Sequence, residues 1–257
     1  MKRKSPELSI RKLTNIFQLV YEKKYQEAID LIPLHSRHLP LCLKEPPDTS
    51  YYSTWPLLHY AAMKGGYDLL EYLLDGGADI ELKRERSTHT PLIESVIEGH
   101  EHCCELLLDR GANIEVRDYS RRTPLIIAID HENEQMCKLL VRRGADINAR
   151  TDDNWTPLHG IVIWNNVSIA NLLLSNGART DIRSYYNKTP LDYAKDQVRN
   201  NRSDLVQLFE DHSVTINLSG AISRGLIKES LFSGFLVFSQ INDPRLLLIV
   251  ASFAYNK

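Results

Sequence analysis

The densest group of chemically capable side chains is the run Gly99-His100-Glu101-His102-Cys103-Cys104-Glu105, with two imidazoles and two thiols in seven residues. Such a set could hold a metal ion or supply a reactive thiol. Its spacing argues against both. Adjacent residues on a helix point about 100° apart, and zinc sites usually separate their cysteines by two or more residues. Cys103 and Cys104 also fall where an upstream segment of the same pattern carries Leu69 and Leu70, so two core positions are expected. Gly76-Gly77 lacks the following lysine of a phosphate-binding loop. No nucleophile, base and oxyanion arrangement is recognisable elsewhere. No catalytic, cofactor-binding or metal-ligating residue is therefore expected. The less favoured alternative is an enzyme or metal-binding protein built on His100 to Cys104, which a stoichiometric zinc content would establish.

Those residues lie inside a repeating framework. Thr-Pro-Leu recurs at Thr90, Thr123, Thr156 and Thr189, each step 33 residues, and Gly-Ala keeps that step at Gly111, Gly144 and Gly177. Apolar blocks hold the same phase: Leu106 to Leu108, Leu139 to Val141, and Leu172 to Leu174. A spacing this regular means one structural unit copied along the chain. Within the unit, threonine and proline mark a helix start: the hydroxyl can accept from an orphan N–H, and proline gives up only a donor the first turn cannot use. A glycine after the second helix supplies the left-handed residue that ends it. Each helix pair exposes an apolar face that only a neighbouring copy can cover, so the copies must stack. The Gly77 to Gly111 interval is 34 residues, which places one inserted residue near Arg84 to Thr88.

These columns resemble the ankyrin repeat family. Residues 154 to 182, NWTPLHGIVIWNNVSIANLLLSNGARTDI, keep the family's Thr-Pro-Leu-His, its leucines and its Gly-Ala. The upstream copy from Trp55 to Glu81 keeps the Leu-His, Ala-Ala and Gly-Ala-Asp columns, with Pro56 standing in the threonine column. The resemblance implies an all-α solenoid of stacked helix-turn-helix units with projecting loop or β-hairpin tips. Its division would be an N-terminal helical capping half-repeat (1–35), a proline-rich connector (36–52), repeats at 53–87, 88–120, 121–153 and 154–186, a degenerate fifth repeat (187–217) and a hydrophobic tail (218–257). It implies that His59 and His159 bridge turn backbones and that His100 belongs to the loop between helices. Asn154 and Asn187 stand two residues before threonine, where the family has a turn glycine and asparagine tolerates a left-handed backbone. Arg121 breaks that pattern, and a distorted loop is expected before Thr123.

The ends differ from the middle. Residues 10 to 32 place Phe17, Val20, Tyr21, Ala28, Ile29 and Ile32 on the apolar faces of two short helices. The connector carries Pro33, Pro40, Pro46 and Pro47 and reads as extended. The tail holds Phe232, Phe235 to Phe238 and the block Leu246 to Ala251, well short of the ~20 apolar residues of a membrane helix. A net charge of −2 gives no overall bias toward nucleic acid or membrane. Lys2, Arg3, Lys4, Arg11 and Lys12 form a short basic run that could serve nuclear entry. With no apolar run of a secretory signal and with cysteines in core columns, a cytoplasmic protein with nuclear access is expected.

What remains is a surface. The resemblance implies that partners dock on loop tips just before Thr-Pro and on the exposed end of the first helix. Those positions are Tyr119, Arg122, Asp130 and His131; then Trp155, Ile163 and Trp164; then Tyr185, Tyr186, Lys188 and Asp196. Tyrosine, tryptophan and arginine dominate interface hot spots. The competing explanation is that Trp155 and Trp164 pack on each other and stabilise the loop. Arg84, Glu85, Arg86, Arg117, Asp118 and Arg121 add charge at the tips, which suits a partner with acidic and apolar features. Asn148 resembles the site modified by the asparaginyl hydroxylase that acts on many ankyrin repeats. A non-catalytic, monomeric protein-interaction scaffold is the expectation, with a protein partner, no cofactor, no small-molecule substrate, no nucleic acid and no membrane span. Its main alternative is an adaptor whose tail recruits a second machine such as a ubiquitin ligase.

Overall fold

The computed structural model describes residues 10–32, 42–44, 54–84, 87–196 and 204–212, which form twelve helices and one two-stranded ladder. They divide into two compact units, residues 1–160 and 161–257, with the boundary inside the ninth helix.

The first unit opens with α1 (Ile10–Tyr21) and α2 (Tyr25–Leu31). Ile16, Val20, Ala28 and Ile32 are buried. Tyr21, expected on the apolar face, is instead 62% exposed, because Ile16 and Val20, four residues apart, define the inward face and Tyr21 lies beside it. A short antiparallel ladder follows, β1 (Cys42–Lys44), inside the segment read as an extended connector, against β2 (Thr54–Pro56) at the start of the anticipated first repeat. The rest of that connector, like the tail 218–257, lies outside the described residues.

Helix pairs come next: α3 (Leu57–Lys64) with α4 (Tyr67–Asp75), α5 (Pro91–Ile97) with α6 (Glu101–Asp109), and α7 (Pro124–Asp130) with α8 (Glu134–Arg142). First helices pack on first helices and second on second. Leu69, Leu70, Ile93, Leu107, Ile127, Met136 and Leu140 have no exposed surface. Burying each large apolar side chain contributes about 1.5–3 kcal/mol, and here much of that depends on the neighbouring pair. Outside the core, the Glu81 carboxylate accepts the Asn113 N–H, and Glu115 accepts that of Asp146, both at 2.7 Å. Arg110 joins Asp75 and Glu71, and Arg143 joins Asp109.

α9 (Pro157–Trp164) begins in the first unit and ends in the second. The second unit continues with α10 (Val167–Ser175), α11 (Pro190–Asp196) and α12 (204–212). Ile169, Leu173, Ala194, Leu205 and Phe209 form its buried interior.

The Gly-Ala column works as read. Gly77, Gly111, Gly144 and Gly177 have φ between +85° and +90°. The following alanine N–H closes the helix end on the carbonyl five residues back, at 2.9 to 3.0 Å, as in Ala78 to Leu73 and Ala112 to Leu107. The threonine column does not. The hydroxyls of Thr90 and Thr123 are buried without a partner. The fourth residue of the motif explains the difference. Isoleucine at Ile93 and Ile126 offers nothing, whereas His159 Nδ1 accepts the Thr156 N–H at 3.1 Å and lies 2.8 Å from its hydroxyl. Asp192 and Thr189 cap each other reciprocally at 2.9 and 3.2 Å.

Candidate partner-binding surface

Each tip is a turn closed by backbone. Asp118 N–H donates to Arg122 O, Thr151 to Trp155 and Ser184 to Lys188, at 2.9 to 3.1 Å. The tip before Thr90 holds the inserted residue, so its closing bond runs from Arg84 to His89, five residues rather than four. All four tips carry a left-handed residue two positions before threonine: Thr88, Arg121, Asn154 and Asn187, with φ from +56° to +59°. The loop before Thr123 is thus undistorted, contrary to expectation. Arginine adopts the turn conformation at a steric cost of about 1–2 kcal/mol.

An arginine column runs under the tips at Arg84, Arg117, Arg150 and Arg183, again with a step of 33 residues. Arg117 Nη1 donates to Arg121 O at 2.9 Å and to Arg150 O at 2.6 Å, tying one tip to the next, and Arg183 Nη1 donates to Asn187 O at 2.7 Å. Arg84 reaches Glu94 at 2.8 Å. Burial pushes the Glu94 carboxyl up, but hydrogen bonds from His89 and Arg84 outweigh it and hold the group below the usual carboxylate range. From sequence, Arg84 and Arg117 read only as charges at the tips. The 33-residue step was the signal that would have found the column.

The expected contact residues separate into two kinds. Arg122 is committed inside the first unit, donating to Asp118 at 2.8 Å and Asp130 at 2.9 Å. Trp155 is half-buried and stacks on His159, ring centroids 5.0 Å apart. Tyr119 is 81% exposed, and His131 is exposed as well. In the second unit Lys188 pairs with Asp196 at 2.6 Å. Ile163, Trp164, Tyr185 and Tyr186 are 47%, 43%, 76% and 72% exposed. Tyr185 and Tyr186 meet edge to face, 5.6 Å between centroids and 90° between planes. Asn148, half-buried, donates its N–H to Asp146 at 2.9 Å and lines a shallow depression of about 520 Å³ with Arg117, Arg121 and Asp152.

The histidine and cysteine run is dispersed by the same framework. His100 Nε2 lies 3.0 Å from Met63 O, a clasp between repeats, while His102 projects outward near Glu105. Cys103, Cys104 and Cys137 are buried free thiols. Burial pushes Cys103 up to about 11, and Cys104 and Cys137 to about 12, far from thiolate reactivity near neutral pH. Among the described residues no three His, Cys, Asp or Glu side chains are grouped to hold a metal ion. His59 Nε2 lies 3.0 Å from His89 O, bridging two turns. Its Nδ1 has no partner, because Pro56 occupies the threonine column and offers neither N–H nor hydroxyl.

A family model described as ankyrin repeats, in three copies, matches residues 58–151, and a model for the single ankyrin repeat matches residues 153–185. Across these residues the chain belongs to the ankyrin repeat family. No curated protein matches the sequence. The fold class is accordingly the all-α ankyrin repeat, whose members are generally protein–protein interaction modules. No helix among the described residues is long and apolar enough to cross a membrane.

Proposed function

We propose that this ankyrin-repeat protein is a non-catalytic scaffold that binds a partner protein through its loop tips and the exposed ends of its first helices. The observation that carries this is the exposure of Trp164, Tyr185 and Tyr186, three large aromatic side chains at the positions the repeat leaves variable. Exposed aromatics that could be buried on contact are the raw material of interface hot spots. Tyr119 and His131 offer a similar, smaller set on the first unit, while Arg122, Lys188 and Trp155 support the tips that present these side chains. A rigid tip loses little conformational entropy on binding. Buried free thiols fit a reducing, cytoplasmic setting, and a single copy suffices for the surface described.

Crosslinking capture from cell extract tests the proposal. The wild type is compared with a variant carrying Trp164→Ala, Tyr185→Ala and Tyr186→Ala, shown by melting to remain folded. Loss of a captured protein in the variant alone supports the surface, and identical capture by both refutes it. Modification of Asn148 is a separate proposal, resting on its place in a folded turn. A mass increase of one oxygen at Asn148 in protein from its native cell would support it, and an unmodified peptide would refute it.

A further inference from the structure

The column before the helix-ending glycine reads Gly76, Arg110, Arg143 and Asn176. Only the last of these makes an asparagine–glycine pair, and Asn176-Gly177 is the one such pair in the sequence. That pair is chemically unstable. The backbone nitrogen after an asparagine can attack the side-chain amide carbon, and a glycine there puts no Cβ in its path. The fold cannot dispense with this glycine, because Gly177 holds φ at +90°, where a side chain would be strained. Asn176 itself is exposed, so water reaches its amide.

The folded helix end keeps the two reacting groups apart. Asn176 caps α10 with φ −100° and ψ 15°, and its Nδ2 donates to Leu172 O at 2.8 Å, which draws the amide back along the helix. The Gly177 nitrogen must lose its proton to attack, and that N–H is held by Leu174 O at 3.1 Å. Ala178, which is buried, donates to Leu173 O at 3.0 Å and fixes the chain beyond. These bonds all close the last turn of α10, so they are lost together when that turn opens.

We propose that Asn176 is a site of spontaneous deamidation, held inert by the folded end of α10 and reactive once that end opens. The Gly177 nitrogen gives its proton to solvent and bonds to Asn176 Cγ, the bond from Cγ to Nδ2 breaks, and Nδ2 leaves as ammonia. Water then adds to either carbonyl of the cyclic imide and breaks that carbon's bond to the Gly177 nitrogen. The product is aspartate or isoaspartate, with no oxidation or reduction. Isoaspartate routes the main chain through the side-chain carbon and lengthens it by a methylene, so the Gly177 and Ala178 N–H groups lose register with Leu174 and Leu173. Aspartate places a negative charge at the C-terminal end of a helix, where the dipole disfavours it. Opening of this helix end is thereby recorded as covalent change. The inference stands apart from the interaction surface proposed above.

The test follows full-length protein in mildly alkaline buffer, with and without denaturing guanidinium chloride. Peptides cut from samples taken over time are identified by mass spectrometry, with fragmentation separating aspartate from isoaspartate. Unfolded protein is expected to convert Asn176 before any other asparagine, and at least about tenfold faster than folded protein does. At intermediate denaturant the rate should follow the unfolded fraction read by circular dichroism. Gly177→Ala, compared in denaturant so that folding plays no part, should convert about tenfold more slowly. After return to native buffer, molecules carrying isoaspartate at this position should be cut by protease faster than unmodified ones. Equal rates in folded and unfolded protein, or conversion of Asn176 in denaturant no faster than that of other asparagines, overturns the inference. Equal protease resistance of modified and unmodified molecules overturns the structural record.

Discussion

Replacing Thr88 with glycine should stabilise the protein. Thr88 holds φ at +56° with a β-branched side chain, and its hydroxyl is buried without a hydrogen-bond partner. The left-handed backbone costs about 1–2 kcal/mol for a residue with a Cβ, more for a branched one. A buried, unsatisfied hydroxyl adds about 1–3 kcal/mol. Against this, glycine loses about 0.5–1 kcal/mol more conformational entropy on folding. The balance is a gain of about 1–4 kcal/mol. With a urea slope of about 1–3 kcal/mol per molar, the midpoint should rise by about 1 M. Equilibrium urea unfolding followed by far-UV circular dichroism measures this. The reverse change at an equivalent position, Asn187→Thr, should lower the midpoint. A Thr88→Gly midpoint equal to or below wild type would show that the larger loop before Thr90 relaxes the strain, and the reasoning would fail.

Other substitutions follow the same physics. Thr123→Val removes a buried hydroxyl that has no partner and should be neutral or stabilising by up to about 1 kcal/mol, while Thr156→Val breaks the His159 contact and should cost about 1–2 kcal/mol in urea unfolding. Gly77→Ala meets no atom within 4 Å and should cost only the left-handed strain of about 1 kcal/mol. Gly65→Ala adds a clash with the His100 ring at 2.8 Å and should cost distinctly more by thermal melting. Burial lowers the His59 imidazole to about 4, below its unfolded value near 6.5. The neutral ring therefore contributes stability that is fully present above pH 6.5 and lost as pH falls toward 4. Between those limits wild type should lose about 3 kcal/mol more than His59→Gln in pH-dependent urea unfolding, and equal losses would contradict the assignment.

Much of the repeat was legible because its constraints are local and periodic. A left-handed glycine, a proline at a helix start and a leucine block each declare themselves in one dimension, and a 33-residue step aligns them. The tips were legible too: Tyr119, Trp164, Tyr185 and Tyr186 are exposed at the positions counted from threonine. What failed depends on contacts between distant residues. Whether the threonine hydroxyl caps a helix is decided three residues on, by Ile93, Ile126, His159 or Asp192. Arg122 and Lys188 looked available in sequence, but Asp130 and Asp196, eight residues later and one helix length away, claim them. Tyr21 fits an amphipathic pattern yet points outward beside Lys64, whose ammonium lies 4.9 Å from its ring centre.

The most direct measurement is the affinity of the partner captured through the aromatic surface, for wild type and for single variants. Trp164→Ala and Tyr185→Ala should each weaken binding by about 2 kcal/mol, roughly thirtyfold. Tyr67→Ala, an equally aromatic change at a residue 40% exposed near the start of a second helix, should change it less than about twofold. If Tyr67→Ala weakens binding as much as Trp164→Ala, or if neither tip nor first-helix variants matter, the partner binds elsewhere and the proposed surface is wrong.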